Sequence, residues 1–105
     1  MKFDVQQKDS VTTLILKERK LDSSIAAELK GEFLIVCKPA VTSLVIDMHE
    51  VDFCDSSGLS ALLIAERKMK EHGGKVTLTG VHKKVVGLLK ISMLDRLFTI
   101  KESKK

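Results

Sequence analysis

Two adjacent hydroxyls, on Ser56 and Ser57, stand out as candidates for chemistry, because they follow the carboxylate of Asp55 and precede Gly58 and a helical run. A serine nucleophile needs a general base held against it. The surrounding residues are not G-x-S-x-G, and none of His49, His72 or His82 is placed by spacing to act as that base, so a serine hydrolase is only a remote alternative. There is also no G-x-x-x-x-G-K-[ST] phosphate loop and no G-x-G-x-x-G dinucleotide turn. What Asp55-Ser56-Ser57-Gly58 does offer is a helix start. Asp and Ser are preferred N-cap residues, and the free N–H groups and dipole of a first turn favour negative charge, phosphate above all. Asp22-Ser23-Ser24 repeats the tripeptide and can cap a second helix. On local chemistry, capping and function both stay open at Ser56.

The remaining reactive side chains suggest little. Cys37 and Cys54 are the only cysteines, lack C-x-x-C spacing and sit among apolar neighbours, which predicts buried, inert thiols. The three histidines share no ligand-like spacing and fall where strands or helices should end. Neither a metal nor another cofactor is expected.

The elements that must position the serines can be read from hydrophobic period. Phe3 and Val5 open a strand, Gln7-Lys8-Asp9-Ser10 turns it, and Val11 to Leu16 returns, giving an N-terminal hairpin. Glu18-Arg19-Lys20 breaks this pattern. A helix after Asp22-Ser23-Ser24 should bury Ile25, Leu29, Phe33 and Val36 and stop before Pro39. Ser43 to Met48 is apolar at nearly every position, as a central strand with parallel neighbours would be. After the Asp55 turn, Leu59 to His72 has helical spacing. At about 100° per residue, Leu59, Leu62, Ala65 and Met69 share one side, and Ser60, Arg67 and Glu71 share the other. Leu63 and Ile64 flank the polar stripe, either buried by a neighbouring helix or free for a partner. Gly73-Gly74 closes that helix, Lys75 to Thr79 forms a strand that Gly80 ends, and His82 to Ile91 forms a third helix burying Val85, Val86 and Leu89. Met93, Leu94, Leu97 and Phe98 carry the apolar pattern into a final strand near Ile100. The order β-β-α-β-α-β-α, with a short terminal strand, predicts an α/β fold with a mixed sheet and right-handed connections.

Composition narrows the class. The sequence reads as a single domain over residues 1–105, with 44% hydrophobic and 30% charged residues. No apolar run approaches the roughly 20 residues that cross a bilayer, and Met1-Lys2-Phe3-Asp4 lacks the apolar stretch of a secretory signal, so a cytoplasmic setting with reduced thiols is expected. The net charge of +4 owes part of its excess to the tail, Lys101-Glu102-Ser103-Lys104-Lys105. Direct nucleic-acid binding would want clustered Arg and Lys with interleaved aromatics. The chain has no Trp or Tyr and only four scattered Phe.

The run Leu44-Val-Ile-Asp-Met-His-Glu-Val-Asp-Phe-Cys-Asp-Ser-Ser-Gly-Leu59 resembles the STAS domain, shared by sulfate transporters and bacterial anti-sigma factor antagonists. The similarity extends to Gly73-Gly74-Lys75-Val-Thr-Leu and to Leu94-Asp-Arg-Leu-Phe98, and so covers nearly the full chain. Lys20-Leu21-Asp22 departs from it, because relatives usually carry a glycine shortly before that aspartate. The resemblance implies an α/β (α+β mixed) fold: a mixed central sheet with an N-terminal hairpin and three to four helices packed mainly on one face. It also implies a stand-alone anti-anti-sigma factor, a transcription regulator that works by partner switching and not by catalysis. Such a protein binds an anti-sigma factor that is itself an ATP-dependent serine kinase, releases the sigma factor, and is switched off by phosphorylation at the position of Ser56, with Ser57 as runner-up. A phosphatase restores it. The implied partner surface comprises Asp22, Asp55, Ser57, Gly58, Ser60, Leu63, Ile64 and Arg67, on a monomer or weak dimer that inserts in no membrane. The alternative is an accessory subunit of an ABC-type lipid or anion transport system.

Overall fold

A computed structural model describes residues 1–103, and its main sheet follows from period-two burial. β2 (Val11–Leu16) buries Thr12, Leu14 and Leu16; β4 (Ser43–Asp47) buries Leu44 and Ile46; β6 (Lys75–Val81) buries Val76, Leu78 and Val81. Successive strand side chains point to opposite faces. One face of the sheet is therefore sealed, while the intervening residues remain exposed or half-buried. The helices α1 (Ser23–Val36), α2 (Ser56–Lys70) and α3 (Lys83–Ile91) complete the core with Leu29 and Phe33, Leu62 and Met69, and Leu89.

With β1 (Phe3–Lys8) at one edge and β7 (Thr99–Glu102) at the other, the strand order is β1-β2-β4-β6-β7. β1 and β2 pair antiparallel; the other three pairings are parallel. β4 thus lies at the centre with parallel neighbours on both sides, as its nearly continuous apolar run anticipates. Two further strands of two residues each, β3 (Lys20–Leu21) and β5 (Phe53–Cys54), form a separate parallel pair. They fall where the apolar pattern breaks and are too short to show a period.

Several boundaries differ from those read in the sequence. The hairpin is tighter: Lys8 pairs with Val11, leaving only Asp9 and Ser10 in the turn, with Asp9 at φ 55°. Its ladder runs on because polar residues suit an edge strand in water. Gly80 does not end its strand. It adopts φ 64° inside β6, where the pairing with β7 shifts between Leu78 and Val81, and a Cβ there would press on the backbone of His49. α2 starts at Ser56, three residues before the apolar spacing begins, and α3 starts at Lys83 with His82 as its N-cap. The opening residues of both helices, Ser56 and Ser57 in α2 and Lys83 and Lys84 in α3, are polar and precede the first core side chains, Leu59 and Val85.

The C-terminal apolar pattern is only partly buried. Phe98 reaches the core, whereas Ile91, Met93 and Leu97 are exposed around a 3₁₀ turn at Leu94–Arg96. Cys54 is buried as expected, but Cys37 is only half-buried, since it caps the end of α1. Burial raises both thiols, to about 11 for Cys37 and about 12 for Cys54, so neither forms much thiolate at neutral pH. Lys104 and Lys105, part of the basic tail, lie outside the described residues.

Candidate functional site

The short β3–β5 pair sets the geometry of the serine turn. Lys20 lies opposite Phe53 and Leu21 opposite Cys54. The next residue in each segment is the N-cap of a helix, Asp22 for α1 and Asp55 for α2. Both caps have extended backbones and use the side chain as acceptor. Asp55 Oδ1 accepts the N–H of Gly58 at 3.0 Å, and Asp22 Oδ1 accepts the N–H of Ser24 at 3.0 Å together with the Ser24 hydroxyl. These bonds satisfy donors that an α-helix leaves unpaired in its first turn. The Ser24 hydroxyl, followed by its N–H, holds the Asp22 carboxyl below the usual carboxylate range.

The two helix starts are then locked together. The N–H of Asp55 donates to the carbonyl of Leu21 at 3.3 Å, and the N–H groups of Asp52 and Phe53 donate to the carbonyl of Arg19 at 2.9 and 3.2 Å. Arg19 also pairs with Asp52, Nη2 to Oδ2 at 2.9 Å. Gly58 fits against this junction only because it lacks a side chain. A Cβ at that position would collide with the Leu21 carbonyl oxygen and come within 2.9 Å of Cys54 Sγ.

At the surface, Ser56 is exposed and Ser57 half-buried. Together with Ser60 on α2 and Ser23, Ala26, Ala27 and Lys30 on α1, they line a groove of about 400 Å³ between the two helices. The other anticipated site residues are distributed around it. Asp55 and Gly58 form the capped turn beneath the serines. Leu63 and Ile64 lie further along α2, both half-buried, with Ile64 packed on the core. Neither is fully buried by a neighbouring helix, and each keeps an accessible part. Arg67 is exposed beyond the groove, and Asp22 opens onto a separate depression lined by Lys2, Lys17, Arg19 and Lys20.

Sequence reasoning missed Lys30, Ser23 and Phe53. Phe53 is 48% exposed at the entry to α2, because the two-residue strand turns Cys54 inward and Phe53 outward. The repeated Asp-Ser-Ser was the available signal for Ser23, since equal motifs at two helix starts can be neighbours in space.

The histidines are engaged elsewhere. His49 Nδ1 lies 2.7 Å from Asp47 Oδ1, His72 Nε2 donates to the Val41 carbonyl at 2.8 Å, and His82 Nε2 donates to the His49 carbonyl at 2.9 Å. Among the described residues no three His, Cys, Asp or Glu side chains converge as metal ligands, and no helix is long and apolar enough to cross a membrane.

The fold, a mixed five-stranded sheet beginning with a hairpin and covered by helices, is shared with known proteins. The sequence matches the STAS domain over residues 2–105. The chain belongs to the STAS domain family. Among solved structures, it is similar to an anti-sigma factor antagonist from Mycobacterium paratuberculosis, at 25% identity and a TM-score of 0.78, covering 98% of this chain and 86% of that one. The phosphorylated form of the Bacillus cell fate determinant SpoIIAA aligns at 18% identity and a TM-score of 0.73, covering 94% and 90%. The murine anion transporter Slc26a9, in an inward-facing state, aligns at 16% identity and a TM-score of 0.78; the match covers 93% of this chain and 17% of the transporter.

Proposed function

We propose that this protein is an anti-sigma factor antagonist, acting in the cytoplasm. In this reading it binds an anti-sigma factor, which is also its serine kinase, and is released when Ser56 is phosphorylated. A phosphatase reverses the switch. The protein is a substrate and a binding partner and catalyses nothing itself. The observation that carries the reading is the position of Ser56: an exposed hydroxyl at the first residue of a helix whose cap is supplied by Asp55.

The chemistry of the modification fits that position. A phosphoryl group adds about −1.5 to −2 charges at neutral pH. At the start of α2 the helix dipole favours such a charge, and the capping bond from Gly58 to Asp55 does not involve the Ser56 side chain. The domain can therefore accept the group without unfolding. A partner surface matched to a neutral hydroxyl cannot, because it would meet the new charge next to Asp55 and lose solvation without compensation. Asp55, Ser57 and Ser60, with the accessible parts of Leu63 and Ile64, form the docking surface, whereas Gly58 is buried beneath it and serves to seat the turn. Asp22 and Arg67 lie at its margins. That one protein of this fold is known in a phosphorylated form supports the same reading.

Likeness to part of an anion transporter favours a second reading, in which the domain docks on a transport system and phosphorylation plays no part. Incubation with the cognate kinase and ATP, followed by mapping of the modified residue, separates the two. Phosphate on Ser56 is the expected result. A domain that stays unmodified, or that carries phosphate elsewhere, overturns the assignment.

A further inference from the structure

We propose that Lys30 is the charge partner of the phosphoryl group on Ser56, drawing it into the groove between α1 and α2. The inference rests on the phosphoacceptor reading above and adds the residue that fixes the modified side chain. Its basis is the placement of a cation without a partner. The neighbours of Lys30 on the same helix face, three and four residues away, are Ala26, Ala27, Phe33 and Leu34, so no acid stands where a helical ion pair would form. Glu28 and Glu32 are two residues away and face elsewhere, and Glu28 is engaged by the N-terminal amine of Met1 at 3.1 Å. Among the described residues no ion pair involves Lys30, whereas Lys17 and Lys68 are paired with Asp4 and Glu71.

The groove itself supplies no competing charge. Across from Lys30 it is lined by the hydroxyl residues Ser56, Ser57 and Ser60, with Ser23, Ala26 and Ala27 on its own side. The two nearby carboxylates are directed at their own helices, Asp22 to the Ser24 N–H and Asp55 to the Gly58 N–H. Lys30 is half-buried, so its stem lies along the groove. Helical side chains lean toward the N-terminus of their helix. That lean carries the ammonium of Lys30 back past the small residues Ala26 and Ala27, toward the end of α1 that adjoins the start of α2.

A phosphoryl group on Ser56 would thus find, within its own domain, a flexible cation with three donors and nothing else to bind. The pairing would turn the modified side chain toward α1 and hold negative charge over the groove that a partner must enter.

The test installs phosphoserine at position 56 by genetic encoding, so that it does not depend on any kinase, in the otherwise unchanged chain and in Lys30→Gln and Lys30→Arg variants. The phosphorus NMR signal is then followed through the second ionisation of the phosphate. A neighbouring cation favours the dianion, and Asp22 and Asp55 oppose it. Lys30→Gln is therefore expected to raise the midpoint by roughly half a pH unit, well below the 1 to 3 units of a close, desolvated pair because the site is partly open to solvent. Lys30→Arg is expected to restore it. An unchanged midpoint in Lys30→Gln overturns the role of Lys30 and leaves the phosphoacceptor reading standing. Failure of the kinase to modify Ser56, read in the separate mapping experiment, removes the phosphoacceptor reading instead.

Discussion

The backbone carbonyl of Leu21 accepts the N–H of Asp55 at 3.3 Å, tying the end of one short strand to the cap of the helix that carries Ser56. Gly58 packs against the same carbonyl. The Gly58→Ala substitution forces its methyl into the Leu21 oxygen and close to Cys54 Sγ, and the carbonyl, held by the Asp55 N–H beside the β3–β5 pair, cannot move without disturbing that junction. A loss of about 1–3 kcal/mol is expected from such overpacking. Urea unfolding measures it. Gly87→Ala is the control: a Cβ there meets nothing within 4 Å, and alanine in a helix interior should stabilise by up to about 1 kcal/mol.

A second prediction concerns acid. The carboxyl of Asp22 is held below its ordinary value by the Ser24 hydroxyl and N–H, so its folded pKa lies below its unfolded one. Its contribution is present above the unfolded value, near 3.9, and is lost as pH falls through the lower folded value. Asp22→Asn keeps a capping oxygen but cannot titrate. Its unfolding midpoint should fall less steeply with acid than that of the unchanged protein. A residual slope should persist from Asp52, whose carboxyl is lowered by Arg19. Identical slopes in the two proteins would rule out this role for Asp22.

Thr12 supplies a third prediction. It is 2% exposed on β2, and its hydroxyl has no hydrogen-bond partner among the described residues. A buried, unsatisfied hydroxyl costs on the order of 1–3 kcal/mol. Thr12→Val, of nearly the same shape, should therefore raise the thermal midpoint, and a lower midpoint would show that the hydroxyl is satisfied in solution.

The parts of the fold legible in the sequence are those where burial imposes a period. Leu44 and Ile46 mark the central strand, and Leu59, Leu62, Ala65 and Met69 mark the buried stripe of α2; all six are buried. Three kinds of feature escape that reasoning. β3 and β5 are two residues each, too short for any period, yet they align the two Asp caps. Gly80 looks like a strand terminator, but its left-handed backbone is accommodated inside β6 as an irregularity. The role of Lys30 depends on which helices adjoin, a relationship between residues far apart in the chain. At the site, the capped turn is legible because Asp-Ser-Ser-Gly is local chemistry. The groove beside it is not, because four of its seven lining residues come from α1.

The switch itself is tested most directly by the affinity of the cognate anti-sigma kinase for the protein altered at a single residue. By calorimetry, Ser56→Ala should bind about as well as the unchanged protein, since it removes a hydroxyl and adds no charge. Ser56→Asp should bind at least about tenfold more weakly, a difference of roughly 1.4 kcal/mol, because it places a second carboxylate beside Asp55 in the interface. Equal affinities for the two variants would contradict the account.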